Sequence, residues 1–150
     1  MKILLAIDGS KSSECVVNEL KNITLSKDSE IIILSTVEKM MPIVGEPFGG
    51  AVFEYEAQIE KQSLEAAKDI VKEAKEKIEK DFDCYVKTEV VIGSPKYSIV
   101  EKSKEWQTDL IIVGSHGYRL WERVLLGSVS TFVAQHAECS VLISRCPHKE

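Results

Sequence analysis

Residues 109–117 read DLIIVGSHG, and this segment decides the fold class. Its apolar residues, LIIV at 110–113, follow one another without polar alternation. A strand of this kind is buried on both faces, as in a parallel sheet that helices cover on each side. Gly114 and Gly117 then mark a loop where the backbone can take conformations open mainly to glycine. The segment therefore predicts an inner strand of an α/β domain, followed by a loop that a ligand can approach closely.

Further apolar, β-branched runs lie on either side of this segment. They occupy residues 3–7, 31–37, 85–92 and 141–143. Helical patterns separate the runs, and the longest, at about 51–80, has apolar residues every three or four positions beside a Lys/Glu-rich face. Strands that alternate with helices predict one α/β domain over residues 1–150, with five strands and right-handed crossovers. Residues 38–50, rich in Pro and Gly, are expected to form a disordered connection rather than a lid.

The charge balance limits the partners of the chain. Acidic residues number 24 and basic residues 19, for a formal net charge of -5. A field of this sign repels polyanions at long range, so nucleic acid is not an expected partner and any anionic ligand must be held by local donors. The opening sequence MKILLAIDGS is apolar for only about five positions before Asp8, too few for a signal peptide or a membrane span. We therefore expect a cytoplasmic protein without a membrane partner.

The four cysteines show no spacing typical of a metal or redox site. Cys15, Cys84, Cys139 and Cys146 form no CxxC pair and have no matching histidine pair, so zinc-binding and thioredoxin-like functions lack support. We expect buried or incidental thiols in a reducing compartment.

A ligand site is expected beyond the carboxyl ends of the strands, where the strand order of an open parallel sheet reverses. The first run ends in Asp8-Gly9-Ser10, and Gly127-Ser128, separated from Gly117 by nine residues, opens another predicted helix. The unpaired N–H groups and the dipole of a helix N-terminus favour a phosphate chain. Neither GxxxxGK(S/T) nor GxGxxG occurs in the chain, which argues against a Walker-type NTPase and a dinucleotide-binding protein. By spacing alone, the glycines could equally serve only to end a strand and begin a helix.

Taken together, these segments resemble a known family. The spacing of Gly114, Gly117 and Gly127-Ser128 fulfils the G-2x-G-9x-G(S/T) pattern of the ATP-binding universal stress proteins. Supporting matches occur in the same order as in the family: KILLAIDGS at 2–10, VVIGSP at 90–95, DLIIVG at 109–114, LLGSV at 125–129 and CSVLI at 139–143. The resemblance covers essentially the whole chain.

The resemblance implies a fold, a ligand and an assembly. The fold is an α/β three-layer sandwich around a five-stranded parallel sheet in the order 3-2-1-4-5, Rossmann-like and of the adenine nucleotide α-hydrolase type. The ligand is ATP with Mg or Mn, and the assembly is a homodimer paired through residues 141–143 (Val141, Leu142 and Ile143). The implied nucleotide-binding residues are Ala6, Ile7, Asp8, Thr36, Val113, Gly114, His116, Gly117, Gly127, Ser128, Val129 and Ser130.

Within that set, the resemblance implies separate roles. Asp8 would accept a hydrogen bond from a ribose hydroxyl or help to hold a phosphate-bound metal, Thr36 would line the adenine pocket, and residues 127–130 would bind the phosphate tail. Family members often have His-Val where this chain has Ser35-Thr36, which leaves the base preference open. They also commonly have Pro where Ser140 precedes the last strand, a change that concerns the dimer strand rather than the ligand site.

The predicted activity is binding rather than catalysis. Glu122 is the only acidic residue at 114–130, and hydrolysis of ATP requires an oriented nucleophile as well as a phosphate site. We therefore expect an ATP-dependent regulatory protein of the stress response with an unidentified protein partner, and at most slow hydrolysis or autophosphorylation on Ser128 or Ser130. One alternative is an α-hydrolase-type enzyme that splits ATP between its α and β phosphates, although Asp8-Gly9-Ser10 lacks the SGGxDS loop of such enzymes. Another is a dimerisation or scaffold module with an empty pocket.

Overall fold

The computed structural model describes the backbone of residues 1–39, 49–115 and 126–146, and the side chains of these residues except for 49–54. Strands and helices alternate as predicted. The elements are β1 (Lys2–Ala6), α1 (Lys11–Glu19), β2 (Glu30–Val37), α2 (Gly49–Asp81), β3 (Tyr85–Ile92), α3 (Pro95–Glu105), β4 (Leu110–Gly114), α4 (Ser128–His136) and β5 (Ser140–Ser144). Of the predicted connection at 38–50, residues 40–48 lie outside the described part of the chain, and residues 49–50 belong to α2.

The strands form a single parallel sheet in the order β3-β2-β1-β4-β5, which confirms the predicted fold class and strand order. The register places Leu4 of β1 between Ile32 of β2 and Ile111 of β4. The apolar side chains of β1, from Ile3 to Leu5, are fully buried. Because β1 has strands on both sides and helices over both faces, it needs apolar residues at consecutive positions.

Helices cover the two faces of the sheet and complete a three-layer sandwich. On one face, Leu5 of β1 packs in a cluster with Val16 of α1 and Val71 of α2. On the other face, Leu4 packs with Val133 of α4 and with the apolar side of α3. Successive side chains of a strand point to opposite faces, so the same strand contributes to both cores. Among the described residues, no helix is long and apolar enough to cross a membrane.

Two helices begin directly after a serine, but neither serine forms a side-chain cap. α1 begins directly after Ser10, and α3 begins at Pro95 directly after Ser94. Both serines have extended backbone angles typical of an N-cap, and neither hydroxyl bonds to the N–H groups of its own helix. Proline at the first helical position has no N–H to satisfy, so α3 can begin without a side-chain cap.

The prediction of four unpaired cysteine thiols was wrong for two of them. Cys15 of α1 and Cys146, which follows β5, form a disulfide with their Cα atoms 5.5 Å apart and a sequence separation of 131. Local spacing could not reveal this pair, because the sheet brings α1 beside β5 only in the folded chain. Cys84 and Cys139 are unpaired thiols. Burial, together with the nearby charges of Asp83 and Glu79, raises the pKa of Cys84, so this sulfur is held as the neutral thiol.

We predict that the disulfide contributes substantially to stability. A crosslink that closes so long a loop restricts the unfolded chain, and loss of such a crosslink typically costs roughly 2–5 kcal/mol. Cys146→Ser, or a reducing agent added to the wild type, should therefore lower the free energy of unfolding in urea by that amount. Cys139→Ser is the matched control and should keep the response to reductant. Equal stability of Cys146→Ser and the oxidised wild type would contradict the prediction.

Candidate functional site

A cleft of about 590 Å³, including its space open to solvent, lies at the carboxyl ends of β1, β2 and β4. The sheet order places β1 beside β4, and the helices that follow these two neighbouring strands lie on opposite faces of the sheet. This is the point where ligands bind in open parallel sheets, because the connections diverge and leave a gap.

The cleft brings together many of the residues that the resemblance implied. Ala6, Ile7, Asp8, Thr36, Val113, Gly114 and Val129 all line it. Gly127, Ser128 and Ser130 lie at the start of α4, next to Val129, but do not line this cleft. His116 and Gly117 lie outside the described residues, as does Glu122.

Other lining residues did not follow from the sequence pattern. They are Ser12, Ser13, Leu34, Pro95 and Ile99. Some of these positions carried a usable signal: Leu34 is two residues before Thr36 on the same face of β2, and Ile99 is four residues after Pro95 on α3. The two serines belong to the first turn of α1, directly after the loop that carries Asp8.

The lining divides into apolar and polar parts. Leu34, Ile99, Val113 and Val129 offer an apolar surface. Asp8 is the one charged side chain among the described lining residues, and it is exposed to solvent. A site of this composition suits a ligand with a flat apolar group and a polar remainder.

The loop between β1 and α1 is held by hydrogen bonds around the Asp8 carboxylate. Oδ1 of Asp8 accepts from the backbone N–H of Ser10 at 2.9 Å and from the hydroxyl of Ser13 at 2.9 Å. The Ser13 hydroxyl oxygen also accepts from the backbone N–H groups of Asp8 at 2.9 Å and Gly9 at 3.1 Å. Gly9 has a φ of 80°, a left-handed conformation that favours glycine and lets the chain turn back on itself.

The N-terminus of α4 presents backbone N–H groups rather than side chains. Gly127 is the N-cap and therefore supplies no side-chain cap for Ser128, Val129 and Ser130. The first N–H groups of a helix have no partner within it, and they lie at the positive end of its dipole. An anion at this end of α4 would meet donors at contact distance.

The Ser130 side chain has an internal role. It is 1% exposed, and its hydroxyl donates to the carbonyl oxygen of Gly127 at 2.9 Å, with the carbonyl of Ser115 at 3.3 Å as a second acceptor. The backbone N–H of Gly127 also donates to the carbonyl oxygen of Ser115 at 2.7 Å. These bonds tie the first turn of α4 to the end of β4, so any ligand contact of Ser130 would have to come from its backbone.

The described residues were compared with the ligand sets that hold metal ions in proteins. No cluster of three or more His, Cys, Asp or Glu residues suited to a metal ion is present in the described ranges. A divalent ion at the cleft would have to take most of its ligands from a phosphate chain and water, as Mg²⁺ commonly does.

Comparisons with known proteins show what this chain is similar to. Residues 1–145 match the model of the universal stress protein family. Universal stress protein MJ0531 of Methanocaldococcus jannaschii is 33% identical over 149 residues, which are 99% of this chain and 84% of that protein. The solved structure of hypothetical protein MJ0577, described as a structure-based assignment of biochemical function, has a TM-score of 0.84 and 28% identity, and the match covers 99% of this chain and 97% of that one.

A more distant solved structure shows the same fold. It is a universal stress protein family protein from Arabidopsis thaliana with AMP bound, at a TM-score of 0.63 and 21% identity, over 98% of this chain and 92% of that one.

We predict that the Ser130 hydroxyl stabilises the fold at the site. Ser130→Ala removes the donor to the Gly127 carbonyl and should lower the free energy of unfolding by about 1 kcal/mol, the usual net value of one hydrogen bond. Ser128→Ala is the matched control, because that hydroxyl is exposed and should contribute little. Urea unfolding of the two variants and the wild type measures the difference. If both variants were as stable as the wild type, the internal role of Ser130 would be wrong.

Proposed function

This chain belongs to the universal stress protein family, and we propose that it is a nucleotide-binding regulatory protein of the stress response whose ligand is ATP. The observation that carries the proposal is the cleft at the ends of β1, β2 and β4, where an apolar surface and one carboxylate lie near the uncapped N-terminus of α4. The apolar surface suits the base of a nucleotide, the carboxylate suits its ribose, and the helix N–H groups suit its phosphates.

The apolar part suits a base. Leu34, Ile99 and Val129 come from a strand and two helices on the same side of the sheet. A flat heterocycle against such a wall gains burial at roughly 25 cal/mol per Å² of apolar area removed from water. Thr36 lies in the same lining and adds a hydroxyl that can donate or accept toward the polar edge of a base.

The polar parts suit ribose and phosphate. Asp8 can accept from a sugar hydroxyl, and the first N–H groups of α4 can donate to phosphate oxygens. The net charge of -5 opposes an anion only at long range, where salt screens it. Donors at contact distance therefore decide whether the phosphate chain stays bound.

Mg²⁺ or Mn²⁺ fits this proposal as a companion of the nucleotide. Asp8 is a single carboxylate in the described lining, and one or two carboxylates plus substrate phosphates are the usual protein environment of Mg²⁺. The metal would neutralise part of the charge on the phosphate chain. Asp8 is therefore the residue that would hold the metal from the protein side if it does not bind the ribose.

Binding without rapid turnover follows from the same residues. Hydrolysis needs a group that orients water in line with the scissile bond, and the described lining residues provide no second carboxylate or histidine for that role. ATP occupancy would then act as a signal, read by a protein partner in the cytoplasm.

Nucleotide binding can be tested directly. The purified protein should release ATP on denaturation, and Mg-ATP at about 100 times its Kd should add about 2.7 kcal/mol of stability, a rise in melting temperature of roughly 5–10 °C for a domain of this size. Gly114→Val combined with Gly127→Val should abolish both effects, because branched side chains would fill the backbone approach to the ligand. Ala134→Val, at an exposed position of α4, is the matched control.

Two results would contradict this proposal. No released nucleotide and no thermal shift with Mg-ATP would remove ATP as the ligand. Steady multi-turnover release of ADP, or of pyrophosphate, would instead indicate an enzyme, in the second case of the α-hydrolase type.

We also propose a homodimer through β5. This strand lies at the edge of the sheet, with β4 on one side only, and a two-fold axis would pair it with its copy to continue the sheet and cover the open edge. Light scattering coupled to size exclusion should then give twice the chain mass of 16.8 kDa. A mass of one chain at micromolar concentration would contradict the dimer.

A further inference from the structure

The hydroxyl of Ser13 is at the centre of the loop that carries Asp8. A serine hydroxyl can donate once and accept twice, and this one does all three: it donates to Oδ1 of Asp8 and accepts from the N–H groups of Asp8 and Gly9, at 2.9, 2.9 and 3.1 Å. Ser13 is 7% exposed, so water cannot readily replace these bonds. The side chain thus holds both the backbone and the carboxylate of Asp8.

These bonds divide the two oxygens of the Asp8 carboxylate between fold and ligand. Oδ1 already accepts from Ser13 and from the backbone of Ser10. Among the described residues, Oδ2 has no hydrogen-bond partner, and Asp8 lines the cleft. The carboxylate is therefore fixed through one oxygen, and the other is left for a ligand.

Resting on the proposed nucleotide function, we propose that Ser13 is a positioning residue that makes the cleft selective for ribonucleotides, because it fixes Asp8 so that Oδ2 accepts a hydrogen bond from a ribose hydroxyl. A carboxylate fixed before binding loses little side-chain entropy when the ligand arrives. Without this restraint, Asp8 would sample other rotamers. The protein would then bind ATP and an analogue that lacks the ribose hydroxyls with similar affinity.

A purely structural role for Ser13 has a different signature. Loss of loop order would weaken binding of all nucleotides in parallel, whereas loss of Asp8 positioning changes the ratio of affinities between sugars. The informative quantity is therefore the Kd for 2′,3′-dideoxy-ATP divided by the Kd for ATP, both measured with Mg²⁺ by calorimetry. Hydrogen bonds to charged groups predict a ratio of roughly 10–100 for the wild type.

The variants separate positioning from stability. Ser13→Ala should bring the ratio to within about threefold of that of Asp8→Ala, and in the Asp8→Ala background it should change the ratio no further. Ser13→Thr restores the hydroxyl and should restore the ratio. Ser103→Ala is the matched control: it removes a hydroxyl that is 3% exposed and bonded to Val100 at 2.8 Å in α3, outside the cleft lining, and should lower stability but keep the ratio.

The outcomes distinguish this inference from the proposed function. If Ser13→Ala keeps the wild-type ratio, or if the wild type binds both nucleotides equally, the positioning role is wrong while ATP binding stands. If the wild type binds no ATP, the proposed function fails and this role fails with it. Should Ser13→Ala not fold, Ser13→Cys offers only a weakly bonding thiol of similar size, and the same loss of ratio is expected relative to the wild type in the same reducing buffer, where the Cys15–Cys146 disulfide is reduced in both proteins.

Discussion

The burial of β1 on all sides is the constraint on which the rest of the structure depends. This strand is paired with β2 and β4, and its side chains fill the cores on both faces of the sheet. The side chains of Ile3, Leu4 and Leu5 are all buried, so the polar residue that this part of the chain gives to the site, Asp8, comes after β1 has ended. The reversal of strand order at the same place then opens the cleft directly beyond the most rigid part of the molecule. Rigid strands support precise placement of the loops that carry function.

The fold could be predicted from the sequence because its signals are local and repeated. Three of these signals can be read from residues adjacent in sequence. They are the consecutive apolar residues of β4, the glycine that ends it at Gly114, and the proline at the start of α3. Strand order is not local, and it came from the family resemblance rather than from the pattern of apolar residues. The same is true of Thr36, whose place in the cleft depends on β2 lying beside β1.

What could not be predicted depends on distances between remote residues or on side-chain geometry. The Cys15–Cys146 disulfide needs α1 and the end of β5 to be neighbours, and no spacing rule for close cysteines detects that. Ser10 and Ser13 both lie near the start of α1, yet only the Ser13 hydroxyl bonds to the Asp8 loop, while the Ser10 hydroxyl is buried and makes no hydrogen bond with the described residues. Which of two nearby serine hydroxyls bonds to the backbone of a loop depends on the backbone angles there, and a sequence pattern does not specify those angles.

The disulfide also divides the chain in a way that the sheet order does not. Between Cys15 and Cys146 the oxidised backbone is a closed covalent ring that contains β2, β3, β4 and β5, and β1 alone lies outside it. That one strand is nevertheless the central one, inserted between two members of the ring. A mechanical pull on the first residues would therefore have to shear both hydrogen-bond ladders of β1 at once, while the ring around it could not be extended. In the oxidised protein, β1 is therefore held between β2 and β4, two strands of one covalently closed ring.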